Sequence, residues 1–203
     1  CGRMLFSPYL RLLRHHTNLS NWSSMVHLFA GPDRVCQGEV TLTAESMGGS
    51  AGEMLAWCGN NGRLADVQSP SLPSYTIPTL FTFGSPAASL EPLINDLRED
   101  GCFKGKRILF ADDPIVKAYE PFGLKHAHMD AVVIYTGENP AVKVFSCDSR
   151  RATSNGPYGD KPEEPMTNET LEKKDPISHS VNAYIDAMRF MNAHGLADIF
   201  DEL

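Results

Sequence analysis

The sequence lacks several features that point to common functional classes. No apolar run approaches the roughly 20 residues that a membrane-spanning helix needs. Lys and Arg form no large cluster and the formal net charge is -7, which argues against nucleic-acid binding by bulk electrostatics. No Cys-x-x-Cys pair is present, so a structural zinc site is not expected.

Chain length and cysteine content set further bounds. The 203 residues suffice for one good-sized domain with a substantial core, and no internal repeat or second domain is visible. The chain begins at Cys1 rather than methionine, so we expect a fragment or a processed product. The odd number and irregular spacing of the cysteines predict mostly reduced, buried thiols at Cys1, Cys36, Cys58, Cys102 and Cys147. The alternative is that one disulfide forms, which applies if the protein works outside the cytosol.

Strands and helices alternate along the sequence. Apolar runs predict strands over residues 40–44, 77–83, 107–111, 130–136 and 142–146, the last two as an antiparallel pair across a turn at 137–140. Helical patterns occur within residues 4–30 and over residues 47–58, 90–98 and 179–193. Polar segments rich in turn residues predict a surface loop at 59–75 and a long excursion at 148–176. This succession predicts an α/β fold with a mainly parallel sheet.

A serine lies at the junction of the first of these strands with a helix, in VTLTAESMGGSAGEM at residues 40–54. Small residues at Ala44 and Gly48 flank Ser46 as in a nucleophile elbow, with Ala in place of the first Gly. Such a turn exposes the hydroxyl at the carboxyl edge of the sheet, where backbone N–H groups of the helix can hold an oxyanion. The alternatives are a plain Gly-rich turn or a phosphate loop. A phosphate loop needs a Lys after the glycines, and none occurs before Lys104.

A serine nucleophile requires an acid and a histidine, in the chain order Ser, Asp, His for this kind of fold. Asp112 and Asp113 both follow the strand predicted at 107–111, and either one fits the role. Their competing interpretation is a helix cap or a turn residue before Pro114.

The best candidate for the base is His179, at the start of the last predicted helix. His126 and His128 are rivals, but they follow the acid closely and lie just ahead of a strand.

Four segments carry a resemblance to a known family. LTAESMGGSAGEMLA at residues 42–56 is similar to the elbow GHSLGGA, and TFGSP at 82–86 is identical to a strand end of that family. ADDPIVKAYEPFGLKHAH at 111–128 resembles its acid loop. ISHSVNAYIDAM at 177–188 resembles its histidine segment, in which an aromatic residue follows several places on. Over about residues 20–195, the chain resembles the class 3 (fungal-type) lipases of the α/β-hydrolase fold.

The resemblance implies a role for four residues. Ser46 corresponds to the nucleophile, His179 to the general base and acid, and Asp113 to the orienting acid. The backbone N–H of Met47 corresponds to one oxyanion donor. The implied reaction is hydrolysis of a lipid carboxylic ester, acylglycerol or phospholipid, through an acyl-enzyme and without a metal or organic cofactor. A catalytically inactive, lipase-like interaction module is the alternative.

The chain also departs from the family pattern. Glu45 stands where the family has His, and we expect Glu45, Asp112 and His126 near the substrate site. The family has several strands and a second oxyanion donor upstream of the elbow, whereas only 45 residues precede Ser46. We therefore expect the C-terminal portion of an α/β-hydrolase domain whose N-terminal strands are missing, completed by the rest of a larger chain or by a partner.

The resemblance also bears on where the protein works. Similar domains occur in secreted bacterial lipase effectors, which would imply a protective partner or inhibitor protein. We expect a protein that is secreted or delivered to a membrane-proximal compartment, with a membrane or lipid interface as its working surface.

Overall fold

The computed structural model describes residues 38–62, 75–135, 141–147 and 179–193. Several predicted features lie outside these residues: the helices within 4–30, most of the loop at 59–75, the turn at 137–140 and the excursion at 148–176. None of the helices in the described ranges has the length and apolar character that spanning a bilayer requires.

The described residues form a five-stranded sheet in the order β1-β2-β3-β4-β5. Its strands are β1 (Thr41–Glu45), β2 (Thr79–Phe83), β3 (Phe103–Phe110), β4 (Met129–Tyr135) and β5 (Ala141–Phe145). Strands β1 to β4 are parallel, and β5 returns antiparallel to β4. All five strands overlap the apolar runs that predict them, including the antiparallel pair, although β3 begins at Phe103, four residues before its predicted start.

Helices cover both faces of this sheet. They are α1 (Ser46–Asn60), the short α2 (Pro114–Lys117) and α3 (Val181–Ala193). Because successive strand residues point to opposite faces, Leu80 packs with α1 and Phe81 packs with α3. The cluster beside α1 includes Met54, Leu55, Leu80, Phe103 and Met129. The cluster beside α3 includes Phe81, Ile108, Phe110, Val132, Ile134 and Tyr184. The predicted α/β architecture, a mainly parallel sheet with helices on both faces, is confirmed.

The helix predicted at 90–98 is wrong, because this segment forms turns and isolated bridges instead. Its start is tied to a distant segment, since Ser89 N–H donates to the Lys125 carbonyl at 3.2 Å. Further on, the side-chain oxygen of Asn95 accepts from Leu97 N–H at 3.2 Å. Local side-chain bonds of this kind compete with helical hydrogen bonds. The spacing of apolar residues does not indicate the hydrogen bonds that Ser89 and Asn95 make.

The prediction of mostly reduced thiols is also wrong for the described cysteines. Cys102 and Cys147 form a disulfide across a sequence separation of 45, and Cys58 is disulfide-bonded as well. Cys102 precedes β3 and Cys147 follows β5, and the antiparallel return of β5 brings these ends together over the start of β4. The pairing thus depends on the sheet topology, which the spacing of the cysteines does not reveal.

Candidate active site

Ser46 lies on a strained turn between β1 and α1. It is the one non-glycine residue in the described ranges with a positive φ, at 54°, and Glu45 before it is extended. A non-glycine residue in this backbone region costs of order 1–3 kcal/mol, and such strain clusters at functional sites. The abrupt change from extended to helical backbone leaves Ser46 at the carboxyl end of β1.

Close packing beside this turn depends on two glycines of α1. A Cβ at Gly49 would lie 2.8 Å from Ser85 Cβ, and a Cβ at Gly52 would lie 3.3 Å from Ala44 Cβ. By contrast, none of the residues that the structure describes lies within 4 Å of a Cβ built at Gly48. Among the described residues, the steric need for a small residue therefore falls on Gly49 and Gly52, which bring α1 against the sheet, and not on Gly48, where the elbow pattern predicts it.

The structure brings together Ser46, His179 and Asp113 in one hydrogen-bonded array. Ser46 Oγ lies 2.7 Å from His179 Nε2. On the other side of the ring, His179 Nδ1 lies 2.9 Å from Asp113 Oδ2 and 3.1 Å from Oδ1. A carboxylate at Nδ1 keeps that nitrogen protonated and leaves Nε2 free to accept the proton of the serine hydroxyl. The array therefore has the geometry of a nucleophile, a base and an orienting acid.

Asp113 makes both of the contacts that the sequence presents as alternatives, one to a helix N-terminus and one to a histidine. Its side chain caps α2, where Oδ1 accepts from Ile115 N–H at 2.9 Å and Pro114 occupies the first helical turn. The same fully buried carboxylate contacts His179. Asp112, the rival acid, is half-buried in the adjoining turn. The cap therefore fixes Asp113 in the orientation that meets the histidine.

His179 and Tyr184 reach the array from the start of α3. Ser180 Oγ accepts from Ala183 N–H at 3.1 Å, which supports the first turn of that helix directly after His179. Tyr184 is the aromatic residue that follows His179, and its hydroxyl donates to Asp113 Oδ2 at 2.8 Å. The sequence offers only the presence of an aromatic side chain here and does not predict this contact.

Two further residues expected at the site lie next to Ser46. Met47 follows Ser46 in the first turn of α1, and 51% of its surface is exposed. Glu45 directly precedes Ser46 and is half-buried.

A buried polar cluster lies on the same face of the sheet as α1. The carboxylate of Glu53 accepts from Thr82 Oγ1 at 3.3 Å, from Ser85 Oγ at 3.0 Å and from Ala127 N–H at 3.1 Å. Burial raises the pKa of Glu53, and the positive charge of Arg107 opposes that shift. This cluster links α1 to the segments that follow β2 and precede β4. The sequence does not predict this cluster, because its members are distant along the chain.

His126 lies near this cluster. Burial, together with the charge of Arg107, lowers the pKa of His126 well below its usual value, so its ring is neutral at neutral pH. The rival residue His128 lies beside the disulfide, where its ring and the sulfurs of Cys102 and Cys147 approach within 4.8 Å. Since those sulfurs are joined to each other, they do not offer the thiolates that a metal ion would need.

Comparison with known proteins finds similarity in structure but no match in sequence. No family model matches the sequence, and no curated protein matches it. Lipase II from Rhizopus niveus is similar in structure, with 15% identity and a TM-score of 0.48 over 86% of this chain and 57% of that one. A lipase from Rhizopus microsporus var. chinensis gives 17% identity and a TM-score of 0.43 over 73% of this chain and 47% of that one. The chain thus spans about half the length of these two solved structures.

Proposed function

We propose that this chain carries the reacting groups of a serine carboxylic ester hydrolase. Ser46 is the nucleophile, His179 the general base and acid, and Asp113 the residue that orients the histidine. The observation that carries this proposal is the continuous hydrogen-bonded array from Ser46 Oγ through both ring nitrogens of His179 to a buried carboxylate. The positive φ of Ser46 supports it independently.

The reaction proceeds in two stages. Ser46 Oγ attacks the ester carbonyl carbon while His179 Nε2 takes the hydroxyl proton, and the imidazolium formed is stabilised by Asp113 at Nδ1. The proton then passes to the leaving alkoxide, and an acyl group remains on Ser46. In the second stage, His179 activates a water molecule that releases the acid. Met47 N–H, in the first turn of α1, is the proposed donor to the oxyanion, and such donors contribute about 3–4 kcal/mol each in comparable enzymes.

We further propose lipid esters as the substrate class, acylglycerols or phospholipids. Two observations support this choice: the four lipase-like segments of the sequence, and the exposed apolar side chain of Met47 directly beside the nucleophile. The disulfide between Cys102 and Cys147 supports work outside the cytosol, and a membrane or lipid interface is the working surface that we propose with these substrates. A larger chain or a partner protein that completes the domain remains part of the proposal.

The test is hydrolysis of p-nitrophenyl butyrate by the full chain and by two serine variants. Ser46→Ala removes the nucleophile, and we expect kcat to fall by at least about 10⁴-fold. Ser146→Ala is the matched control, because this serine is exposed at the end of β5. Equal hydrolysis by wild type and Ser46→Ala would refute the assignment. Parallel assays with a triacylglycerol and with a phosphatidylcholine vesicle then decide between the two lipid classes.

A further inference from the structure

Within the described residues, three groups contact the carboxylate of Asp113 as hydrogen-bond donors. Oδ1 accepts from Ile115 N–H at 2.9 Å, and Oδ2 accepts from the Tyr184 hydroxyl at 2.8 Å. His179 Nδ1 lies between the two oxygens. Asp113 is fully buried, so no bulk water can replace a missing donor. Each oxygen therefore has one fixed donor besides the histidine, and the two together set the rotation of the carboxylate.

Tyr184 is itself held rigidly. Its side chain is buried, and its ring packs on Phe110 at a centroid distance of 4.7 Å and edge-on to Phe83 at 6.1 Å. Its hydroxyl also accepts from Phe110 N–H at 3.4 Å. The hydroxyl is thus anchored to the end of β3, the strand that leads into Asp113.

Gly84, the glycine of TFGSP, leaves the space that this contact occupies. Its φ is +56°, and a Cβ there would lie 2.8 Å from the Tyr184 hydroxyl and 3.1 Å from Asp113 Oδ2. Its N–H donates to the Ile108 carbonyl at 2.9 Å, which fixes the backbone at this close approach. A side chain at this position would displace the Tyr184 hydroxyl or the carboxylate.

We propose that Tyr184 is a positioning residue of the active site, which acts through Asp113 and does not touch the substrate. Its hydroxyl holds Oδ2 so that the carboxylate faces His179 Nδ1, and Gly84 leaves the room for that hydrogen bond. This proposal rests on the ester hydrolase function proposed above. It assigns a function to a tyrosine and a glycine outside the serine–histidine–aspartate array.

The test compares two conservative tyrosine variants. Tyr184→Phe removes the hydroxyl and keeps the ring. We expect kcat to fall about tenfold with KM unchanged, because one hydrogen bond to the charged carboxylate of Asp113 is lost. Tyr75→Phe is the matched control, because Tyr75 is equally buried and its hydroxyl donates to the Leu55 carbonyl at 3.2 Å. Its kcat should stay within about twofold of wild type.

A double-mutant cycle separates positioning from a merely structural role. If Tyr184 acts through Asp113, then Tyr184→Phe causes no further loss of kcat in an Asp113→Asn background. Gly84→Ala provides a second variant, since its added methyl group would lie nearest the Tyr184 hydroxyl, at 2.8 Å, and so disturbs the same hydrogen bond without removing the hydroxyl. Its loss of kcat should not add to that of Tyr184→Phe.

Three outcomes overturn the proposal. Wild-type kcat in Tyr184→Phe would do so, and so would an equal loss in the wild-type and Asp113→Asn backgrounds. An inactive wild type would overturn the ester hydrolase function together with this inference, whereas an active wild type with an unaffected Tyr184→Phe overturns this inference alone.

Discussion

Asp113→Asn is the substitution whose effect follows most directly from the described contacts. Three donors converge on this carboxylate: Ile115 N–H, the Tyr184 hydroxyl and His179 Nδ1–H. Asn has one acceptor oxygen and a donating NH₂ group, so one of these donors must face another donor. The arrangement that relieves the conflict at the histidine moves the ring proton from Nδ1 to Nε2. A protonated Nε2 cannot accept the hydroxyl proton of Ser46.

The expected loss is therefore about 10⁴-fold in kcat, which is about 5.5 kcal/mol of transition-state stabilisation. Stability should change little, because Asn is as good a helix N-cap as Asp and preserves the bond to Ile115 N–H. Asp112→Asn is the matched control, since it makes the same change at the neighbouring position. We expect it to retain kcat within about threefold of wild type.

The assay is p-nitrophenyl butyrate hydrolysis, with circular dichroism and urea unfolding to verify the fold of each variant. A folded Asp113→Asn variant that retains more than a tenth of wild-type kcat would refute the reasoning. Equal losses in Asp113→Asn and Asp112→Asn would refute it as well.

The other predictions concern stability. Burial in the folded state raises the pKa of Glu53 above its ordinary value of 4.5, so the folded state binds more protons than the unfolded state between pH 4.5 and that raised pKa. The free energy of unfolding should therefore fall as pH rises through this window, by up to about 1.4 kcal/mol per pH unit, and Glu53→Gln should lack this component. Parallel stability curves for the two proteins would contradict the prediction. Replacing both Cys102 and Cys147 by Ala opens a loop with a sequence separation of 45, which should cost about 4 kcal/mol in urea unfolding; an unchanged midpoint and slope would contradict this. Gly49→Ala should destabilise by about 1–3 kcal/mol because its Cβ would lie 2.8 Å from Ser85 Cβ, whereas Gly48→Ala meets no atom of the described residues within 4 Å and should not; equal melting temperatures would contradict the contrast.

Local patterns predict the strands well, because each buried parallel strand is a short apolar run bounded by turn residues. They fail at residues 90–98, where apolar spacing suits a helix but the bonds of Ser89 and Asn95 lead elsewhere. They fail for the disulfide for the same kind of reason. Cys102 and Cys147 meet only because β5 returns antiparallel beside β4. Contacts between distant segments carry no local signal.

Part of the candidate site, the serine, can be predicted from the sequence for a physical reason. A nucleophile elbow demands a strand, a small-residue turn and a helix in succession, so Ser46 stands out. The choice between Asp112 and Asp113 does not follow from the sequence, because it depends on which side chain caps α2 and turns towards His179. The contribution of Tyr184 depends on how α3 packs over the ends of β2 and β3, which residue spacing does not encode.

Covalent labelling of Ser46 tests the central claim most directly. The full chain would be incubated with a fluorophosphonate probe under native conditions and mapped by peptide mass spectrometry. We expect stoichiometric modification of Ser46, prevented by prior unfolding and slowed by His179→Ala, since His179 Nε2 lies 2.7 Å from the attacking oxygen. An unmodified Ser46 in the native protein, as expected for an inactive lipase-like binding module, would contradict it. Labelling at the same rate in His179→Ala would contradict it equally.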